Sequence, residues 1–194
     1  MKKRSIHFSI LLAILCLHLA TAPRTQAAEL QTGKQNGAQK TERALFAAGC
    51  FWKTQYVFSK VPGVTRTRVG YSGGSPASPT YEQVCTDKTG HAEVALVEYD
   101  PTKTSYQKLL EVFFANHDPT TLNRQGPDFG KQYRSAIFYT TPQQRDQALA
   151  YAKQLEASHR FHAPIVTTIE AAGPFYDAEE YHQDYYKKHG AVCF

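Results

Sequence analysis

The chain has 194 residues, of which 42% are hydrophobic and 12% aromatic, enough for one well-packed core and no argument for a second domain. Its formal charge of +5 is concentrated near the N-terminus: without Lys2, Lys3, Arg4 and Arg24, 18 of the 22 Lys and Arg face 17 Asp and Glu, leaving +1. No basic run interleaved with aromatics remains, which argues against nucleic-acid binding.

Lys2, Lys3 and Arg4 precede the apolar run ILLAILCLHLATA, and small residues follow at Ala27 and Ala28. That is the layout of a signal peptide over residues 1–27, with TQAAEL offering the cleavage site. The apolar run is shorter than the roughly 20 residues a membrane-spanning helix needs, so no stable membrane insertion is expected after cleavage. An exported, periplasmic or secreted, protein is the expectation. Residues 28–43, AELQTGKQNGAQKTER, are polar and read as a flexible lead-in, leaving 44–194 as the folded domain.

From Ala44 onward, strand-like and helix-like segments take turns. ALFAAG is a short apolar strand, and residues 50–59 predict a helix closed by KVPGV, whose Pro62 and Gly63 mark a turn. TRTRVGY alternates as a half-exposed strand should, SGGSPASPT is a loop, and YEQVC is one helical turn. AEVALVEYD predicts a buried strand, and Ser105 to Asn116 an amphipathic helix. The long loop HDPTTLNRQGPDFGKQY then leads into the strand RSAIFY; loops of that length in a compact domain are more often functional than idle. Thr141, Pro142 and Gln144 supply the cap, first position and capping-box partner of a helix running to about Ser158. IVTTIE is a strand, and Asp177 with Glu180 is expected to cap a last helix bearing Tyr181 and Tyr185. The alternation implies a single mixed α/β domain.

With Cys16 lost, Cys50, Cys85 and Cys193 remain. An odd number in an exported chain leaves at least one thiol outside any disulfide framework. A cysteine in the first turn of a helix sits among unpaired N–H groups at the positive end of the dipole, where thiolate is favoured, and Lys53 acts in the same sense. Cys50 is therefore read as a reactive nucleophile. Residues 50, 51 and 52 project about 100° apart on a helix, so they cannot all face one core; Phe51 and Trp52 beside a thiolate make a wall suited to a methyl group. Glu93 shares its strand face with Ala95, Val97 and Tyr99, surroundings that raise a carboxyl pKa and keep it protonated as a proton donor. Tyr81, Asp128 and Tyr133 flank loops where polar side chains can converge.

Eight histidines are present, but no HxxxH or HExxH pair and no CxxC, so no metal site is expected. A second reading is a cysteine hydrolase in which His117 or His182 is the base of Cys50, oriented by Asp118 or Asp184. Cys193 lies on the tail KKHGAVCF, where Gly190 gives it freedom to reach an oxidised cysteine elsewhere. Cys85 is read as structural.

GCFW (49–52), GYSGG (70–74), PTYEQVC (79–85), GHAEV (90–94), NHDPT (116–120), RQGPDFGKQYRS (124–135) and YHQDYY (181–186) together resemble the A-type peptide methionine sulfoxide reductases. The resemblance implies a two-layer α/β sandwich with a mixed sheet. It also implies reduction of methionine-(S)-sulfoxide, in proteins and as the free amino acid, with no cofactor and no metal. Carried over by position, Cys50 attacks the sulfoxide sulfur, Glu93 protonates the oxygen, Tyr81 and Tyr133 hydrogen-bond it, Phe51 and Trp52 hold the methyl, and Asp128 orders the polar side. Cys193 would resolve the Cys50 sulfenic acid as a disulfide, recycled by a thioredoxin-like reductant. Oxidised proteins would be the substrates and a monomer the working form. The chain departs from many members in Lys53, Thr54 and Gln55 after GCFW and in having one tail cysteine, so a single resolving step is expected.

Overall fold

The computed structural model describes residues 41–190; the expected leader, nearly all of the lead-in and the Cys193 tail lie outside the described residues. In chain order the elements are β1 (Glu42–Ala48), α1 (Phe51–Ser59), β2 (Val64–Ser72), α2 (Tyr81–Cys85), β3 (Ala92–Tyr99) and α3 (Tyr106–Ala115). Next come β4 (Arg124–Gln125), β5 (Asp128–Phe129), a 3-10 turn (Lys131–Tyr133), β6 (Ser135–Tyr139) and α4 (Pro142–Ala157). The chain continues through β7 (Thr168–Ala171), β8 (Tyr176–Asp177), a second 3-10 turn (Glu180–His182) and α5 (Tyr185–His189).

Six strands form one mixed sheet in the order β7-β6-β1-β3-β2-β8. The β6–β7 pair is parallel and the other pairs are antiparallel. The fold is thus an open-sheet α+β domain, as the alternation of elements led one to expect, with the crossover order supplied by the structure.

Strand periodicity explains the two faces. Ala44 and Phe46 of β1, Val97 and Tyr99 of β3 and Ile137 of β6 meet Phe58 of α1, Leu109, Leu110 and Phe113 of α3, and Ala148 and Leu155 of α4. Phe46 stacks on Phe58 at 4.8 Å between centroids. Each such side chain contributes about 1.5–3 kcal/mol by leaving water. Leu45, Ala47, Val94, Leu96 and Phe138 pack on the opposite face, joined by Phe175. A third cluster, Phe51, Val69, Tyr71, Val84 and Ala178 with Trp52 and Tyr81 against it, gathers the segments that carry the site.

Some boundaries differ from expectation. β1 begins at Glu42, inside the expected lead-in, because Glu42 pairs with Tyr99. The 117–133 loop holds its own hairpin, Arg124 pairing with Phe129 and Gln125 with Asp128. Thr141 caps α4 by accepting from the N–H of Gln144, but the Gln144 side chain reaches past the cap to accept from the N–H of Thr140. The expected last helix is broken: Asp177 belongs to β8, where its neighbour Tyr176 pairs with Tyr71, and Asp184 takes a left-handed conformation (φ 53°) before α5 starts.

Candidate active site

The turn into α1 is built around Gly49, at φ 82°. A Cβ at Gly49 would lie 2.5 Å from the Gln125 Cβ, so only glycine lets the β4–β5 hairpin pack on the turn before Cys50. Cys50 is the N-cap residue rather than part of the first turn, with φ −51° and ψ 119°. Its carbonyl accepts from the N–H of Thr54 (3.2 Å) and from Thr54 Oγ1 (3.1 Å). The half-buried Cys50 side chain therefore sits at the mouth of the helix, with no acidic residue in the first turn to oppose negative charge there.

The N–H of Phe51 donates to Glu93 Oε2 at 3.0 Å, tying the carboxyl on β3 to the residue next to Cys50. Glu93 is only 2% exposed, so its carboxyl is shut off from water. Burial pushes its pKa up to about 8; the Phe51 N–H opposes the rise and the charge of Asp128 adds to it. Glu93 is thus a neutral acid at pH 7, held within reach of the same helix start as the thiol.

Tyr133 ends the 3-10 turn after the hairpin. Burial first, then the negative potential of Glu93, Asp128, Cys85 and Cys50, holds its hydroxyl in the protonated form well above the usual range. Tyr81 opens α2, and its hydroxyl is pushed up by burial, by Cys85, by Glu93 and by Tyr133. The structure therefore brings Cys50, Glu93, Tyr81, Tyr133 and Asp128 into one electrostatic neighbourhood. The two hydroxyls in it are donors at any physiological pH. Cys85 was expected to be structural, yet it is exposed at the end of α2 beside Tyr81. Burial, with Glu93, Glu82 and Glu179 outweighing the Tyr81 hydrogen bond, pushes its thiol up.

The aromatic wall is ordered by the C-terminal segment. Phe51 is 1% exposed and packs against Tyr71 and His182, with centroids at 5.9 and 5.0 Å. Trp52 is half-buried, stacks on Tyr185 at 3.8 Å and donates its indole N–H to His182 Nδ1 at 3.0 Å. Glu179 accepts from the Tyr81 N–H (2.9 Å) and the Tyr71 hydroxyl (3.0 Å). Gln183 grips both backbone groups of Val69. Glu179 was not singled out in the sequence because its segment read as a capped helix; the only signal was its nearness to YHQDYY.

These bonds also dispose of the hydrolase reading. His117 Nδ1 lies 2.7 Å from the Phe113 carbonyl, which only an N–H can satisfy, and Nε2 lies 2.7 Å from Ser135 Oγ. Burial, only partly offset by that carbonyl, brings its pKa down to about 4. Both ring nitrogens are engaged away from Cys50. In neutral His182 the nitrogen that accepts from Trp52 carries no proton, so the proton is on Nε2 and neither nitrogen is an available base. Asp118 caps Thr120, and the backbone N–H of Asp184 donates to Gln55 Oε1.

A nucleophile at a helix mouth beside a neutral acid, two protonated phenols and an aromatic wall is the constellation of a thiol-dependent oxidoreductase. The family profile described as peptide methionine sulfoxide reductase matches residues 42–193. The peptide methionine sulfoxide reductase MsrA of Methanothermobacter thermautotrophicus is 58% identical over 147 residues, covering 76% of this chain and 87% of that protein. The MsrA of Methanoculleus marisnigri is 56% identical over 149 residues, covering 77% and 91%. Among solved structures, reduced Mxr1 from Saccharomyces cerevisiae superposes with a TM-score of 0.75 at 36% identity, covering 80% of this chain and 89% of that one. Mxr1 in complex with Trx2 gives 0.55 at 27% identity, covering 80% and 91%. The chain belongs to the A-type peptide methionine sulfoxide reductases, and it is an oxidoreductase acting on methionine sulfoxide.

Proposed function

We propose that the enzyme reduces the S epimer of methionine sulfoxide, in proteins and as the free amino acid, through a sulfenic acid on Cys50. The Cys50 thiolate attacks the sulfoxide sulfur while Glu93 delivers its proton to the oxygen. Because Oε2 accepts from the Phe51 N–H, the proton is assigned to Oε1. Tyr81 and Tyr133 donate to the same sulfoxide oxygen as it gains negative charge, which is where donors lower a barrier most. Phe51 and Trp52 enclose the methyl group, and Asp128 orders the polar rim. The protonated oxygen then passes from the methionine sulfur to the Cys50 sulfur, the old S–O bond and the transient Cys50–methionine S–S bond breaking as the new S–O bond forms, which yields methionine and Cys50 sulfenic acid. The Cys193 thiol then displaces water to form a disulfide, and a thioredoxin-like dithiol returns both residues to thiols as it is itself oxidised.

The observation that carries this reading is the 3.0 Å bond from the Phe51 N–H to a carboxyl kept neutral by burial. Residues 1–27 act as an export signal in the same proposal, which places repair of oxidised proteins outside the cytoplasm by a monomeric enzyme. For the chemistry, the test is a turnover assay with dithiothreitol and with thioredoxin. Cys50→Ser is expected to reduce no methionine sulfoxide with either reductant. Cys193→Ser is expected to release one methionine per enzyme with thioredoxin and then stall; repeated turnover there removes Cys193 from the cycle.

A further inference from the structure

Two side chains lie between Trp52 and Tyr81. His182, 1% exposed, accepts the indole N–H of Trp52 through Nδ1 at 3.0 Å. Its Nε2 is buried with no hydrogen-bond partner and lies 3.9 Å from Glu179 Oε2. The other Glu179 oxygen accepts the backbone N–H of Tyr81 at 2.9 Å, and Oε2 accepts the Tyr71 hydroxyl at 3.0 Å. The His182 ring also packs on Phe51 at 5.0 Å and on Tyr81 at 4.5 Å between centroids. Neither side chain has a role in the proton or electron transfers described above, yet between them they touch both Trp52 and Tyr81.

We propose that Glu179 and His182 are paired positioning residues that hold Trp52 and Tyr81 in register, and that this register is what distinguishes the two epimers of the sulfoxide. The proposal rests on the reading of Trp52 as methyl wall and Tyr81 as oxygen donor. A sulfoxide sulfur is pyramidal, bearing a methyl, an oxygen, the side-chain stem and a lone pair. Attack by a fixed thiolate selects one epimer only if the methyl site and the oxygen site keep a fixed relation to each other, since exchanging the two groups converts one epimer's fit into the other's. Trp52 and Tyr81 stand on different helices, α1 and α2. The His182 ring, hydrogen-bonded to the Trp52 indole and packed on the Tyr81 ring, ties one to the other, and Glu179 beside it holds the Tyr81 N–H. A buried ring nitrogen hydrogen-bonded to the indole also fixes the Trp52 rotamer, which stacking on Tyr185 alone leaves free to slide.

Three single variants of the full chain, and the His182→Ala/Glu179→Gln double variant, test this with each epimer of a methionine sulfoxide peptide and dithiothreitol. In His182→Ala the indole loses its acceptor, and KM for the S epimer is expected to rise about tenfold while the S-to-R ratio of kcat/KM falls about tenfold or more. His182→Asn places an amide oxygen near the lost Nδ1 and is expected to recover most of that ratio. Glu179→Gln keeps the shape but offers one acceptor where Tyr71 and Tyr81 need two, and its loss of discrimination should not add to that of His182→Ala, because the two act as a unit. Trp52 is the only tryptophan, so its emission reports the wall directly and should shift to the red in His182→Ala but not in His182→Asn. An unchanged epimer ratio in folded Glu179→Gln, or a ratio lost equally in His182→Ala and His182→Asn, overturns the proposal. If His182→Ala does not fold, the Asn and Gln variants decide it. A wild-type enzyme that reduced neither epimer would instead overturn the functional reading, and the emission shift would still report on the pair.

Discussion

Glu93 and Glu179 are carboxylates of one neighbourhood with opposite electrostatic fates. Glu93, on β3 under the helix layer, is buried with one backbone donor, and its pKa climbs to about 8. Glu179, between β8 and the second 3-10 turn, keeps 32% of its side chain exposed. Burial alone would raise it too, but the N–H of Tyr81, its own backbone N–H, the Tyr71 hydroxyl and His182 outweigh burial and leave it below its ordinary value. The difference lies in the number of donors and the access of water. One carboxyl is left with a proton to give, and the other is left charged to hold its neighbours in place.

The sharpest way to break that comparison is Glu93→Gln. Gln keeps the acceptor for the Phe51 N–H but has no acidic proton, so kcat/KM for sulfoxide reduction should fall by on the order of 10² to 10⁴. Circular dichroism and thermal unfolding should show the fold intact. In the wild type the same proton should disappear from the rate profile as pH rises through about 8, giving an alkaline limb absent from the Gln variant. A variant within twofold of wild type would mean that the proton comes from elsewhere.

A smaller effect is expected in stability, with its sign set by linkage. Unfolded Glu93 titrates near 4.5 and folded Glu93 near 8, so between those values the native state binds more protons than the unfolded one. Stability from this group is therefore present at low pH and lost as pH rises from about 4.5 toward 8. Glu93→Gln, which cannot ionise, should unfold at a higher temperature than wild type at pH 9 and lose that advantage by pH 5. The gap should be on the order of a few kcal/mol at most. A gap independent of pH would show that Glu93 is not held neutral.

How far the sequence revealed these groups also differed between the two. Cys50, Phe51 and Trp52 were legible because a cysteine after glycine at a strand-to-helix junction has few structural excuses, and Glu93 because alternation put it on the face of Ala95, Val97 and Tyr99. Both signals are local. The Glu179 neighbourhood was hidden because Asp177 and Glu180 before YHQDYY imitate a helix start. Pairing of Tyr176 with Tyr71 and the left-handed Asp184 overrode that local preference. His182 was noticed only as a candidate base, since the indole it serves is 130 residues away in the chain. The order β7-β6-β1-β3-β2-β8 was likewise out of reach, because it depends on long-range pairings that no window of sequence contains.

The finest expected difference is the pH response of Glu179. Its folded pKa is lowered, so the stability it contributes is present above the unfolded value near 4.5 and is lost as pH falls through the folded value below it. Glu179→Gln should therefore be less stable than wild type at pH 7, and the two melting curves should converge as pH drops below 4.5, a gap opposite in sign to that of Glu93→Gln. Partial exposure screens the interactions, so the difference at pH 7 should amount to no more than a few degrees in Tm. Two Gln variants of the same domain, measured from pH 4 to pH 9, should then both diverge from wild type toward the alkaline side but with opposite sign, Glu93→Gln the more stable and Glu179→Gln the less stable. A Glu179→Gln variant that also gained stability over wild type toward pH 9 would mean that burial governs both carboxyls, and that the three donors around Glu179 do not outweigh it.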